Sequence, residues 1–163
     1  MTDALLSAIP THGPVGLELV EDGPFGIDLV RPSGVPFNGV TSMELEQHGF
    51  VSGWIRCWGE GLPGASCYAY LLASPSAAAA CTADQAARFL TGDRVFEVAA
   101  SPLGSTYQVF AREIENVALC WAVTTIASVT LWLETRAATP GEAMRLLEAL
   151  ASSLSEPHVV PTT

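Results

Sequence analysis

Apolar and polar residues alternate in short runs along most of this chain, and Gly or Pro closes nearly every run. That period of two, broken by turn residues, is the pattern of strands. Residues 15–20 and 25–31 read as strands about an Asp22-Gly23 turn, and RPSGVPFNG, residues 31–39, reads as loop. Residues 40–46 and 50–58 read as a hairpin folded at Gln47-His48-Gly49, followed by the loop GEGLPGAS and a strand over 67–73. Two further strands are expected at 94–100 and 106–113.

A helical period appears twice. In TADQAARFLTG, Thr82 suits the cap, Gln85 the residue that bonds back to it, and Gly92 the stop, after a connector SPSAAAA. In TPGEAMRLLEALASSL, Thr139 is the expected cap, Pro140 fits the first helical position and Glu142 completes the capping box. Ala143, Leu146, Leu147, Leu150 and Leu154 then fall on one face, as in a helix laid across a sheet.

The run from Asn116 to Leu133 has no charge and approaches the roughly 20 residues of a membrane span. Its content argues otherwise. Thr124, Thr125, Ser128 and Thr130 are spread through it, Val, Ile and Trp are strand formers, and both flanks are acidic. Split near Thr125 it gives two core strands, with Val117, Leu119, Trp121 and Val123 alternating on one and Val129, Leu131 and Leu133 on the next.

At 163 residues the chain is one domain, long enough to bury a core without staples. The expected division is a loose N-terminal segment over 1–14, one domain over 15–155 and a flexible tail over 156–163. All seven basic residues are arginine, and with the Ala and Pro usage this points to a GC-rich, actinobacterial type of coding sequence. A formal charge of −10 disfavours nucleic acid and anionic membrane surfaces, and suits a basic protein partner. The N-terminus lacks a basic signal-peptide region, so a cytoplasmic location is expected, where Cys57, Cys67, Cys81 and Cys120 stay reduced. Their spacing matches no metal motif.

Candidate chemistry is sparse. His12, His48 and His158 lie in loop, turn and tail, with no orienting partner legible in sequence. GEGLPG has the glycines of a G-x-G-x-x-G, but Pro63 and strand residues follow where a helix is needed. Glu44 with Glu46, and Glu113 with Glu115, are paired carboxylates at strand spacing, which most simply form a solvated face. No catalytic residue, metal site or cofactor site is assigned.

The hairpin offers the one candidate surface. Folded about His48, it pairs Leu45 with Val51, Met43 with Gly53 and Thr41 with Ile55 on a core face. The other face shows Glu44, Glu46, Phe50, Trp54, Arg56 and Trp58. Of these Glu44, Trp54, Arg56 and Trp58 form the candidate partner-binding patch, rich in the residue types of interface hot spots. The simpler reading is that the helix over 82–90 covers these tryptophans, with Arg56 reaching out past it to solvent.

The closing helix TPGEAMRLLEALASSL after three antiparallel strands, and the early FGIDLVRPSG, resemble Mog1/PsbP-type α/β domains over about half the chain. The Trp that usually follows the entry Pro in that family is absent here. The resemblance implies an adaptor or binding module without catalytic residues.

The reading is therefore an α+β fold, a single domain with a twisted antiparallel sheet and two helices on one face. Its expected function is a non-catalytic cytoplasmic protein-binding module: an adaptor, an immunity-type inhibitor or an accessory factor. The alternative is a small enzyme or carrier with an apolar cavity for a lipid-like or polyketide-like molecule, lined by Trp121, Trp132, Tyr68, Tyr70 and Tyr107. A free strand edge would also allow two copies to pair.

Overall fold

The computed structural model describes residues 2–30, 40–91, 95–98 and 103–154. The elements run in the order α1 Thr2–Ala8, β1 Leu19–Phe25, a short 3-10 turn Ile27–Leu29, α2 Ser42–Gln47, β2 Phe50–Trp58 and β3 Gly64–Leu72. Then come α3 Pro75–Phe89, β4 Phe96–Glu97, β5 Gln108–Ile114, β6 Val117–Ile126, β7 Val129–Ala137 and α4 Pro140–Ser152. The strands make one antiparallel sheet of seven, in the order β1-β2-β3-β7-β6-β5-β4. The α+β class and the antiparallel sheet agree with the sequence reading.

The helices do not share a face. Successive residues of a strand point to opposite sides, and β3 separates the two cores. Ala65, Cys67, Ala69 and Leu71 join α1 and α4 in one cluster, while Tyr68, Tyr70 and Leu72 join α2 and α3 in the other. The sheet is thus covered on both sides, which is why every residue of β3 is buried. On the α4 side Ala143, Leu147 and Leu150 are buried against Leu131 and Leu133, with Leu146 and Leu154 at the margin. On the α3 side Phe89 stands edge-on to Phe110, Trp121 and Trp132.

Five local expectations are corrected. Residues 40–46 do not form a strand, so the hairpin pairs expected for them do not exist. Thr41 and Glu44 make a full capping box at the start of α2, and this local pairing outweighs the alternating pattern. Asp22-Gly23 is not a turn but lies inside β1, paired with Arg56 and Ile55. The helix expected from Thr82, α3, begins instead at Pro75, capped by Ser74. Ser74, a Pro at the first turn and four consecutive alanines are a stronger start than a mid-chain Thr. The N-terminal segment is a helix with Leu5, Ala8 and Ile9 buried. The fourth strand is confined, among the described residues, to Phe96–Glu97. Loop 31–39, Gly92 and residues 155–163, with His158, lie outside the described residues.

The long apolar run divides as two strands, two residues later than expected. Ile126 pairs with Val129, so Ala127 and Ser128 form the turn, and Ala127 takes φ 51° without help from Gly or Asn. Glu115, followed by Asn116, also takes positive φ, 52°, between β5 and β6. No helix among the described residues is long and apolar enough to cross a membrane.

Candidate functional site

The candidate patch is divided by the sheet. Trp54, Arg56 and Trp58 follow one another along β2 on the α1 side, whereas Glu44 sits on α2 against the other face. There Glu44 accepts hydrogen bonds from the Thr41 backbone N–H at 2.9 Å and the Thr41 hydroxyl at 2.7 Å, and pairs with Arg88 of α3 at 2.7 Å. Its carboxylate closes the α2 N-terminus and ties α2 to α3. Nearby, His48 Nε2 lies 3.1 Å from Asp84 Oδ2, a second link between the same helices.

The three β2 residues hold the N-terminal segment and the edge strand. Arg56 donates from Nε to Asp22 Oδ1 at 2.9 Å and from a terminal nitrogen to Oδ2 at 3.0 Å, a two-pronged grip. Its other terminal nitrogen donates to the Pro10 carbonyl at 2.7 Å. Trp54 Nε1 donates to the same Asp22 Oδ1 at 2.6 Å. The Arg56 hydrogen bonds hold the Asp22 carboxyl below its ordinary range, against a smaller opposing effect of burial and with help from Trp54. Trp58 is buried, and Gly13 lies so close over its indole that a Cβ there would overlap the ring. The covering element is therefore the strap from α1 through Gly13, not the α3 helix suggested by the sequence. Sequence offered no signal for it, because Asp22, Pro10 and Gly13 each read locally as turn or loop.

The remaining candidate chemistry is tied into structure. Burial raises the thiols of all four cysteines, Cys81 to about 12 and Cys120 to about 11, so none is a ready thiolate. The four are free; Cys57 and Cys67 occupy successive-facing positions opposite Ser66 and Arg56 and are not bonded to one another. Glu134 accepts from Trp121 Nε1 at 2.8 Å, and burial lifts its carboxyl above the ordinary range, partly offset by Trp121 and by Arg136. Gln85, expected as a capping residue, is buried mid-helix, donating to Cys81 and accepting from Trp132 Nε1. Among the described residues no group of three or more His, Cys, Asp or Glu side chains is placed to hold a metal ion. His12 is exposed in the strap.

Nor do the proposed cavity residues meet under α4. Tyr68, Tyr70, Trp121 and Trp132 are buried on the α3 side, and Tyr107 alone borders the α4 cluster.

What stands open is the outer strand. From Leu19 to Asp22 four consecutive residues of β1 are exposed, with Leu19 at 52 % and Val20 at 46 %. Val20 has no partner in the register with β2, marking a bulge. Glu18 and Glu21 flank these apolar residues and are exposed as well.

No family model matches the sequence, and no curated protein matches it. Among solved structures, the extracellular domain of PknH from Mycobacterium tuberculosis is similar in fold, with a TM-score of 0.56 at 8 % identity over 86 % of each chain. At that identity the likeness is one of architecture.

Proposed function

We propose that this chain is a non-catalytic protein-binding module, acting as an adaptor, an immunity-type inhibitor or an accessory factor, and that it binds through the β1–β2 end of its sheet. The observation that carries the reading is the exposed stretch Leu19–Asp22 on a terminal strand, braced from behind by Trp54 and Arg56 through Asp22. A rigid backing matters, because a preorganised surface loses little entropy on binding. Exposed apolar side chains on a pinned edge are a binding feature rather than a catalytic one. Of the four residues expected to bind, Trp54 and Arg56 act by shaping this edge, Trp58 by anchoring the strap, and Glu44 belongs to the opposite side.

The partner is a protein with basic character, given the −10 charge of the chain. A reducing compartment such as the cytoplasm suits the four free thiols. The fold likeness to the extracellular domain of PknH is compatible with a module of this kind and carries no more than the architecture. The Mog1/PsbP resemblance points the same way.

Native mass spectrometry on protein isolated gently from its own host tests the reading. Retention of a second polypeptide in fixed stoichiometry is the expected result. Retention of a small molecule of a few hundred daltons, with no polypeptide, would overturn it in favour of a carrier.

A further inference from the structure

We propose that the outer edge of β1 receives an extended, basic segment of the partner, which joins the sheet as an added antiparallel or parallel strand. This rests on the protein-binding reading above and specifies its chemistry.

The topology leaves β1 at one end of the sheet and β4 at the other. Among the described residues β4 spans Phe96–Glu97, whereas β1 has seven residues. Its inner side is hydrogen-bonded to β2, and no described strand lies on its outer side. The usable part ends before Pro24, which has no N–H to donate. About five residues therefore remain, enough for a short strand.

Charge selects the occupant. Glu18 and Glu21 are exposed beside Leu19 and Val20. Arg56, the basic residue of β2, is already bonded to Asp22 and to the Pro10 carbonyl. Asp22 is likewise neutralised within the fold, so the outward field at this edge comes from Glu18 and Glu21 in a chain of charge −10. A second copy of the chain is a poor occupant. Two β1 edges brought together would oppose their own acids, which is destabilising, and Pro24 would interrupt both ladders. A strand with Arg or Lys opposite Glu18 and Glu21, and apolar residues against Leu19 and Val20, meets no such conflict. The same acids that deter self-pairing thus attract that partner.

The test uses three synthetic peptides against the full chain: one built on Arg-Val-Val-Arg, one with glutamate in place of each arginine, and the arginine peptide N-methylated at alternate backbone nitrogens. The arginine peptide should bind saturably and shift the backbone amide resonances of Leu19 to Gly23. The glutamate peptide should not bind, and N-methylation on the ladder-facing set should weaken binding at least about tenfold. Exchanging both acids, Glu18→Arg with Glu21→Arg, should reverse the preference between the charged peptides. Because both residues are exposed, the melting temperature should stay near that of the parent chain. Val20→Pro supplies a second variant: Val20 has no Cα partner in the register with β2, and a proline there removes an N–H from the edge strand. It should fold and bind the arginine peptide less well. Binding that is indifferent to N-methylation, resonance shifts confined to other elements, absence of saturable binding, or dimerisation through β1 would each overturn the proposal. If native mass spectrometry still shows a retained polypeptide, the binding-module reading survives that failure. If no polypeptide is retained, both fall.

Discussion

Arg56 grips Asp22 through two hydrogen bonds of 2.9 and 3.0 Å, and with its remaining nitrogen holds the Pro10 carbonyl at 2.7 Å. One guanidinium thus fastens the edge strand β1 and the N-terminal strap to β2. Its side chain is only 12 % exposed, so the pair is screened less than an open surface ion pair.

Arg56→Ala should therefore destabilise the chain by about 2 kcal/mol in urea denaturation, leaving the Pro10 carbonyl without its side-chain donor and the Asp22 carboxylate with Trp54 Nε1 but no guanidinium. Arg56→Lys keeps the charge but not the fork, and should recover less than half of that loss. In both variants amide exchange should rise first in α1, because Arg56 fastens to β2 the Pro10 carbonyl just past its C-terminus.

Asp22 and Glu134 should pull the pH dependence in opposite directions. Arg56 lowers the Asp22 carboxyl from 3.8, so its stabilisation is complete above that value and is lost as pH falls through the folded value. Burial raises Glu134 from 4.5, so the folded chain binds its proton more tightly than the unfolded chain does. Stability then declines as pH rises from 4.5 through the folded value, and is lowest with Glu134 ionised. Glu134→Gln should abolish this decline while retaining an acceptor for Trp121 Nε1; Asp22→Asn should abolish the acid-side loss. Stability against pH, measured by denaturant melts of the three proteins, separates the two effects.

Gly13→Ala should lower stability by about 1–3 kcal/mol, because its Cβ would overlap the Trp58 ring and the strap must shift. Gly141→Ala, with open space around its Cβ, should leave stability close to that of the parent chain. Thermal melts of the two variants decide between a fitted strap and a loose one.

Leu147 is fully buried between α4 and the sheet, and Leu147→Ala should cost about 2–5 kcal/mol in the same melts. Ser74→Ala should cost about 1 kcal/mol and expose the first turn of α3 to exchange, since the Ala77 N–H loses its acceptor.

The parts that were legible in the sequence are those set by local rules. Thr139, Pro140 and the Leu147–Leu150 stripe give α4 almost residue for residue, and the period of two gives β2, β3, β5, β6 and β7. Errors arose where two local signals competed. Met43 and Leu45 alternate as in a strand, yet the Thr41–Glu44 box decides for a helix. Asp22-Gly23 reads as a turn, but Arg56 and Trp54 hold Asp22 within a strand. Ala127 turns the chain at positive φ with none of the usual turn residues, which no pattern announces. The tryptophan–arginine stripe on β2 was visible; what covers it was not, because Pro10 and Gly13 approach from some 45 residues away in the chain.

Binding at the β1 edge is tested most directly by amide hydrogen exchange on the chain alone and in complex with the polypeptide it retains from its host. New protection is expected over Leu19–Gly23, with α4 and the α2–α3 side unchanged. Protection confined to those other surfaces, with β1 exchanging as in the free chain, would contradict it.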